Sequence, residues 1–191
     1  LDDVLTDLER QFAPVAARRN LRLHIRRTRL HVRSDRVLVR RLLQNLVSNA
    51  LRYTQRGGVV VGCRRHGGRV EVQVWDTGPG IAEQHRKVIF DDFRGLDRPS
   101  PWGEKGLGLG LSICDRIARV LQLDLSLRSE VGRGSTFSVQ LEVSARPAPL
   151  PVSEPAPASP ASLVGGTVLC VDDEPAILDG MQTLLERWGM R

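Results

Sequence analysis

Apolar residues recur at helical spacing over the first eighteen positions, at Val4, Leu5, Leu8, Phe12 and Val15, and predict an amphipathic helix. Short apolar stretches at 21–25 and 30–32 predict two strands. Asp35 has the chemistry of an N-cap, opening a helix over 36–53. Its apolar stripe is Val39, Leu43, Leu46 and Ala50, and Gly57-Gly58 ends it. Strands over 59–64 and 69–75 follow, joined through a His66-Gly67-Gly68 turn. In the second, Val70, Val72 and Val74 alternate with Arg69, Glu71 and Gln73, so one face is expected buried and one polar. A loop-rich stretch over 77–105 holds a short helix around 83–89. A helix over 109–121 then presents Ile113, Ile117 and Leu121 on one side. Strands over 124–129 and 135–143 close the pattern, the latter alternating Phe137, Val139, Leu141 and Val143 with polar residues. The fold class predicted is α+β: a two-layer sandwich of one mixed, mainly antiparallel sheet with helices on one face.

Beyond this the composition changes. Six of the eleven prolines fall between Pro147 and Pro160 among Ala and Ser, which marks 145–164 as a linker. Thr167-Val168-Leu169-Cys170-Val171 reads as a buried strand ending in Asp172-Asp173-Glu174-Pro175. A helical pattern follows at Ile177, Met181, Leu184, Leu185 and Trp188. The expected organisation is therefore a domain over 1–144, a linker over 145–164, and the start of a second domain over 165–191. Some 25 residues cannot bury the core of such a domain, so a helix packed opportunistically on the first domain stays open.

Hydrophobic residues make up 41% and charged residues 26%, an ordinary globular profile, and no apolar run is long enough to span a bilayer. No secretory signal opens the chain, and a first residue other than Met points to a longer parent. The net charge is +6, carried by arginine except for Lys87 and Lys105. These arginines are scattered over helices, strands and turns, and only 4% of residues are aromatic, so a nucleic-acid face is not expected. Cys63, Cys114 and Cys170 lack paired metal spacing and are expected as free thiols of a cytoplasmic protein, with membrane association of the parent left open.

Candidate chemistry lies in five segments. Asn45, Asn49 and Arg52 are spaced i, i+4, i+7 on the predicted helix, off its apolar face. Amide oxygens suit a hard divalent cation and a guanidinium suits phosphate, although a solvated polar face would look the same. Asp76-Thr77-Gly78-Pro79-Gly80-Ile81 ends a strand. A carboxylate there can accept the exocyclic amine of adenine, with the glycines turning the backbone beneath the base. Val88-Ile89-Phe90-Asp91-Asp92-Phe93-Arg94 carries two aromatics three apart, a loop-pinning cluster in its plainest reading. Gly106-Leu107-Gly108-Leu109-Gly110-Leu111 runs into a helix N-terminus, where free N–H groups and partial positive charge favour phosphate. Gly132-Arg133-Gly134-Ser135-Thr136-Phe137 is a turn entering a strand.

In order and spacing these segments resemble the N box, first glycine box, F box, second glycine box and last glycine box of the ATP-binding catalytic domain of sensor histidine kinases, over roughly 1–144. The resemblance implies the Bergerat ATP-binding fold and the cofactors ATP and Mg2+. It implies Asn49 as the magnesium ligand, supported by Asn45, and Arg52 and Tyr53 along the triphosphate and base. Asp76 becomes the adenine-amine acceptor, with Gly78, Gly80 and Ile81 shaping that wall. Phe90 and Phe93 anchor the lid and Arg94 reaches a phosphate. Gly106, Leu107, Gly108, Leu109, Gly110 and Leu111 form the phosphate cradle. Ser135 or Thr136 makes a water or hydroxyl contact near the base.

One position bears on the chemistry. Gyrase-type members of this fold carry a glutamate general base four residues before the metal asparagine, and here that position is Asn45. An amide cannot take a proton from water, so transfer of the γ-phosphoryl group to a protein histidine is expected rather than steady hydrolysis. His24, His31, His66 and His85 lie outside the phosphoacceptor context of that family, so the acceptor is expected on a dimerising helical domain of the same protein. Val168 to Pro175 resembles the first strand of a receiver domain, which implies an incomplete magnesium site at Asp172 and Asp173 and a hybrid kinase as parent. A receiver domain or response regulator is the expected downstream partner. The alternatives are a gyrase- or chaperone-type ATPase, or a degenerate interaction module.

Overall fold

The computed structural model describes residues 1–91, 109–144, 165–171 and 175–190, the side chains of 175–177 excepted. Phe93, Arg94, Gly106, Leu107, Gly108, Asp172, Asp173 and the 145–164 segment lie outside the described residues. The chain divides into two units, Leu1–Arg146 and Pro147–Arg191.

In the first unit, α1 (Asp2–Arg18) buries Val4, Leu5, Leu8 and Phe12 as its periodicity predicts. It runs through Pro14, which lies on the exposed side. α2 (Arg36–Tyr53) opens at Asp35, whose carboxylate accepts a 2.8 Å bond from Leu38 N. Its buried set is wider than the predicted stripe, because Leu42, Val47 and Leu51 join Val39, Leu43, Leu46 and Ala50. The extra residues are buried because α2 packs on α1 and α3 (Gly110–Val120) as well as on the sheet. Truncating a fully buried leucine such as Leu43 in such a site costs about 2–5 kcal/mol.

The strands are β1 (Arg22–Ile25), β2 (Val32–Arg33), β3 (Gly58–His66), β4 (Arg69–Asp76), β5 (Asp124–Glu130) and β6 (Gly134–Val143). Their order is β1-β3-β4-β6-β2, with β5 also paired to β6; β1 and β3 are parallel and the other pairs antiparallel. The sheet is thus mixed and mainly antiparallel, as expected. Val59, Val61, Val70, Val72, Val74, Phe137, Val139 and Leu141 form its inner face and join the helices in one core. Of the 30–32 stretch only Val32 is strand, and β2 runs on to Arg33.

Two expectations need correction here. The outer face of β4 is not wholly solvated: Gln73 is buried and donates to Ser138 Oγ at 3.4 Å across the β4–β6 pair. The short helix around 83–89 is two 3-10 turns, Glu83–His85 and Val88–Phe90.

The second unit contains α4 (Pro175–Arg187). The predicted buried strand over 167–171 is neither strand nor buried, since Leu169 is 87% and Val171 86% exposed. Strand propensity is a capacity to pair and pack, and 165–171 pairs with no strand among the described residues.

Candidate functional site

The site lies where α2, the β4 terminus and the α3 N-terminus converge. α2 and α3 run antiparallel. The Asn49 amide faces Gly110 at the start of α3, and two turns earlier on α2 the Leu42 carbonyl accepts a 3.5 Å bond from Cys114 Sγ. A Cβ on Gly110 would stand 3.2 Å from Asn49 Nδ2 and 3.4 Å from Oδ1. α3 has no side-chain cap at Leu109, so its first-turn N–H groups gain no partner from that residue, and they carry the partial positive charge that suits an anion. Asn45 sits one turn before Asn49 with its Nδ2 buried and without a hydrogen-bond partner among the described residues. Cys114, fully buried beside it, has its thiol pushed up to about 12 by burial and is inert as a nucleophile.

The last turn of α2 leads to the carboxylate. The Arg52 guanidinium lies 5.8 Å from the centre of the Tyr53 ring. Thr54 is fully buried and donates to Ala50 O at 2.7 Å. The Tyr53 carbonyl and Thr54 Oγ1 would each lie 3.5 Å from a Cβ on Gly78, and Asp76 Oδ1 would lie at 2.8 Å. Gly78 is therefore glycine because a side chain would strike the carboxylate.

Asp76 Oδ1 accepts from Gly78 N at 2.8 Å and from Ser135 N at 3.2 Å. Neither bond uses Oδ2. Burial raises the Asp76 pKa above its ordinary value, against the lowering effect of those two backbone bonds.

Close backbone contacts set the outer wall of this turn. Gly80 has φ +70°, and a Cβ there would stand 2.0 Å from Glu130 O; Gly134 has φ +108°, with Asp76 O at the same 2.0 Å. The sequence reading matched Gly134 to the last glycine box without foreseeing this contact with the Asp76 carbonyl. Ile81, beside this wall, donates its N–H to Ser129 Oγ at 2.7 Å. Phe90 packs edge-on against Phe137, ring centres 6.4 Å apart, which ties the loop after β4 to β6.

Strand register decides between the two hydroxyl candidates. Ser135 pairs with Asp76 and shares its inner face, but its hydroxyl is 3.0 Å from Ser129 Oγ. Thr136 pairs with Trp75, so the two-residue period puts it on the opposite face and removes it from the site. Ser135 meets Asp76 through its backbone N–H instead. Thr77 was also missed: its Oγ1 donates to Arg56 O at 2.9 Å and accepts from Gly58 N at 3.0 Å, clamping the α2–β3 turn to the β4 terminus.

Among the described residues no helix is long and apolar enough to cross a membrane, and no cluster of His, Cys, Asp or Glu could hold a metal ion. A hard cation at this site would therefore rely on amide oxygens and phosphate.

Residues 34–145 match the model of the histidine kinase-, DNA gyrase B- and HSP90-like ATPases. The chain is 40% identical over 111 residues to the adaptive-response sensory kinase SasA of Crocosphaera subtropica, covering 57% of this chain and 28% of that protein. It is 34% identical over 146 residues to the alginate biosynthesis sensor protein KinB of Pseudomonas aeruginosa, covering 75% and 24%. The chain thus spans about a quarter of the length of these relatives. Full-length ShkA, solved in complex with AMPPNP, superposes with a TM-score of 0.67 at 26% identity, over 100% of this chain and 38% of that one. The nucleotide-free catalytic domain of the histidine kinase ThkA does so with a TM-score of 0.62 at 25% identity, over 74% and 91%.

Proposed function

The chain belongs to the family of histidine kinase-, DNA gyrase B- and HSP90-like ATPases, and on that premise we propose that its longer protein is a sensor histidine kinase, in which this domain passes the γ-phosphoryl group of ATP to a histidine on a dimerising domain. The observation that carries the reading is the convergence on one side of α2 of three unlike groups: the Asn49 amide, the α3 N-terminus and Asp76, whose two backbone donors both meet Oδ1. They suit, in that order, a cation, phosphates and an adenine amine.

Asp76 accepts the exocyclic amine, in a position held by two backbone donors. Gly78 and Gly80 let the backbone lie close beneath the base. The N–H groups of Gly110 and Leu111, at the positive end of α3, meet the phosphates, with Arg52 beyond Tyr53. Mg2+ fits the same site: Asn49 would hold it, and Asn45, whose buried Nδ2 neighbours the Cys114 thiol, backs it one turn earlier. Bound there, Mg2+ would supply neutralisation of phosphate charge. Asn45 offers no general base, which favours transfer to a histidine over hydrolysis. Phosphotransfer through a receiver domain or separate response regulator belongs to the same proposal.

Titration of the 191-residue chain with a fluorescent ATP analogue and Mg2+ tests this reading. Saturable binding is expected, weakened by Asp76→Asn and by Asn49→Ala. No saturable binding, or binding indifferent to both changes, overturns it. Rapid steady-state ATP hydrolysis by the isolated chain would replace it with a gyrase-type ATPase.

A further inference from the structure

β5 places Leu125, Leu127 and Ser129 on the inner face, opposite Val139, Phe137 and Ser135. Ser129 is thus the polar member of an apolar phase. Its hydroxyl accepts from Ile81 N at 2.7 Å and donates to Gly134 O at 3.0 Å. A serine has one proton to give, so the 3.0 Å contact with Ser135 Oγ is donated by Ser135. Ser129 O in turn accepts from the Arg86 guanidinium at 2.6 Å, which fixes the end of β5 against the loop after β4.

The Gly134 carbonyl and the Ser135 N–H belong to one peptide group. Its oxygen is held by Ser129, and its N–H donates to Asp76 Oδ1 at 3.2 Å. In a trans peptide the two groups point in opposite directions, so a bond at the oxygen fixes the direction of the N–H and polarises it. Glycine at 134, with φ +108°, has no side chain to limit rotation of this plane. The Ser129 hydroxyl adds to the restraint that pairing of β6 with β4 and β5 places on it, and through Ile81 it also holds the end of the Asp76–Ile81 turn.

We propose that Ser129 is a positioning residue for adenine recognition: it sets the Gly134–Ser135 peptide plane that orients the Asp76 carboxylate, and so sharpens selection for a base bearing an exocyclic amine. The inference rests on Asp76 being the amine acceptor. It extends that role to a side chain six residues before Ser135 that need not touch the nucleotide.

The test compares the full chain and its Ser129→Ala and Ser129→Thr variants in binding ATP and purine riboside triphosphate, which lacks the 6-amino group. Ser129→Ala is expected to weaken ATP binding about tenfold, the order of one charge-assisted hydrogen bond, and to leave the amine-free nucleotide nearly unchanged. Ser129→Thr, which keeps the hydroxyl, restores the preference. Adding Ser129→Ala to Asp76→Asn should cost little more, because both act on one interaction. Equal weakening of both nucleotides, or a preference retained in Ser129→Ala, overturns the inference and leaves the Asp76 reading standing. A wild-type chain indifferent to the amine removes the Asp76 reading and this inference with it.

Discussion

The side-chain amide of Asn49, in the penultimate turn of α2, lies against the Cα of Gly110, the first residue of α3. This contact joins two segments sixty residues apart into one corner. Gly110→Ala tests it. Alanine favours the helix by up to about 1 kcal/mol, so stability should hold or rise. Its Cβ would stand 3.2 Å from Asn49 Nδ2 and must displace the amide. Thermal unfolding and titration with Mg2+ and an ATP analogue should therefore diverge: an unchanged or higher Tm, and binding weakened several-fold.

Asp76→Asn should separate stability from recognition in the same way. The amide oxygen can still accept from Gly78 N and Ser135 N, while the buried charge is gone. Because the folded pKa is raised above 3.8, ionised Asp76 opposes folding. That cost is absent below pH 3.8, grows as pH rises towards the folded value, and is constant above it. The variant should match or exceed wild-type stability at pH 7, with the difference closing as pH falls from the folded value to 3.8. Its ATP affinity should drop roughly 10- to 100-fold, as when a charged hydrogen-bond acceptor is lost. Denaturant melts across pH, paired with nucleotide titrations, read both effects.

The glycines around the site should differ sharply in tolerance. Gly80→Ala combines a φ of +70° with a Cβ 2.0 Å from the Glu130 carbonyl, so the β5–β6 hairpin must move. Gly132→Ala, at φ +82°, meets nothing within 4 Å. The second should cost only the left-handed backbone penalty of about 1–2 kcal/mol. The first should cost clearly more and loosen the Asp76 turn with it. Equal losses in urea denaturation would count against the contact.

At the opposite end of the unit, Asp2 Oδ1 accepts from Arg27 Nε at 2.8 Å and from Thr28 N at 3.1 Å. These bonds lower the Asp2 pKa from 3.8 to about 2, the Arg27 side-chain bond contributing most. The stabilisation is fully present above pH 3.8 and is lost as pH falls through about 2. Asp2→Asn should lower Tm slightly at neutral pH, and the difference should vanish near pH 2 and shrink in high salt because the pair is exposed.

Most elements were legible in the chain because their signals are local. The α2 boundaries follow from Asp35 as N-cap and the Gly57-Gly58 stop, and the β3–β4 hairpin from a two-residue glycine turn between alternating strands. The candidate site was legible as segments, since Asn49, Asp76 and the Gly-Leu run each carry their chemistry in their own residue types. The 167–171 stretch misled for the same reason: its apolar run reports what the backbone could pair with, and among the described residues it pairs with no strand.

By itself the sequence determined which groups are present: an amide pair on one helix, a carboxylate ending a strand, glycines before a helix, and no glutamate beside Asn49 to act on water. Only the tertiary structure decided which of them meet. The β4–β6 register put Ser135 beside Asp76 and sent Thr136 to the other face, a choice that one residue of slip would reverse. The antiparallel packing of α2 and α3 set Asn49 on Gly110, and the Asp76 carbonyl, 2.0 Å from where a Cβ would stand, explains why position 134 is glycine. Local chemistry is written residue by residue. Register and helix packing come from burying one shared core, and only that core brings Ser129, Ser135 and Asp76 into one line.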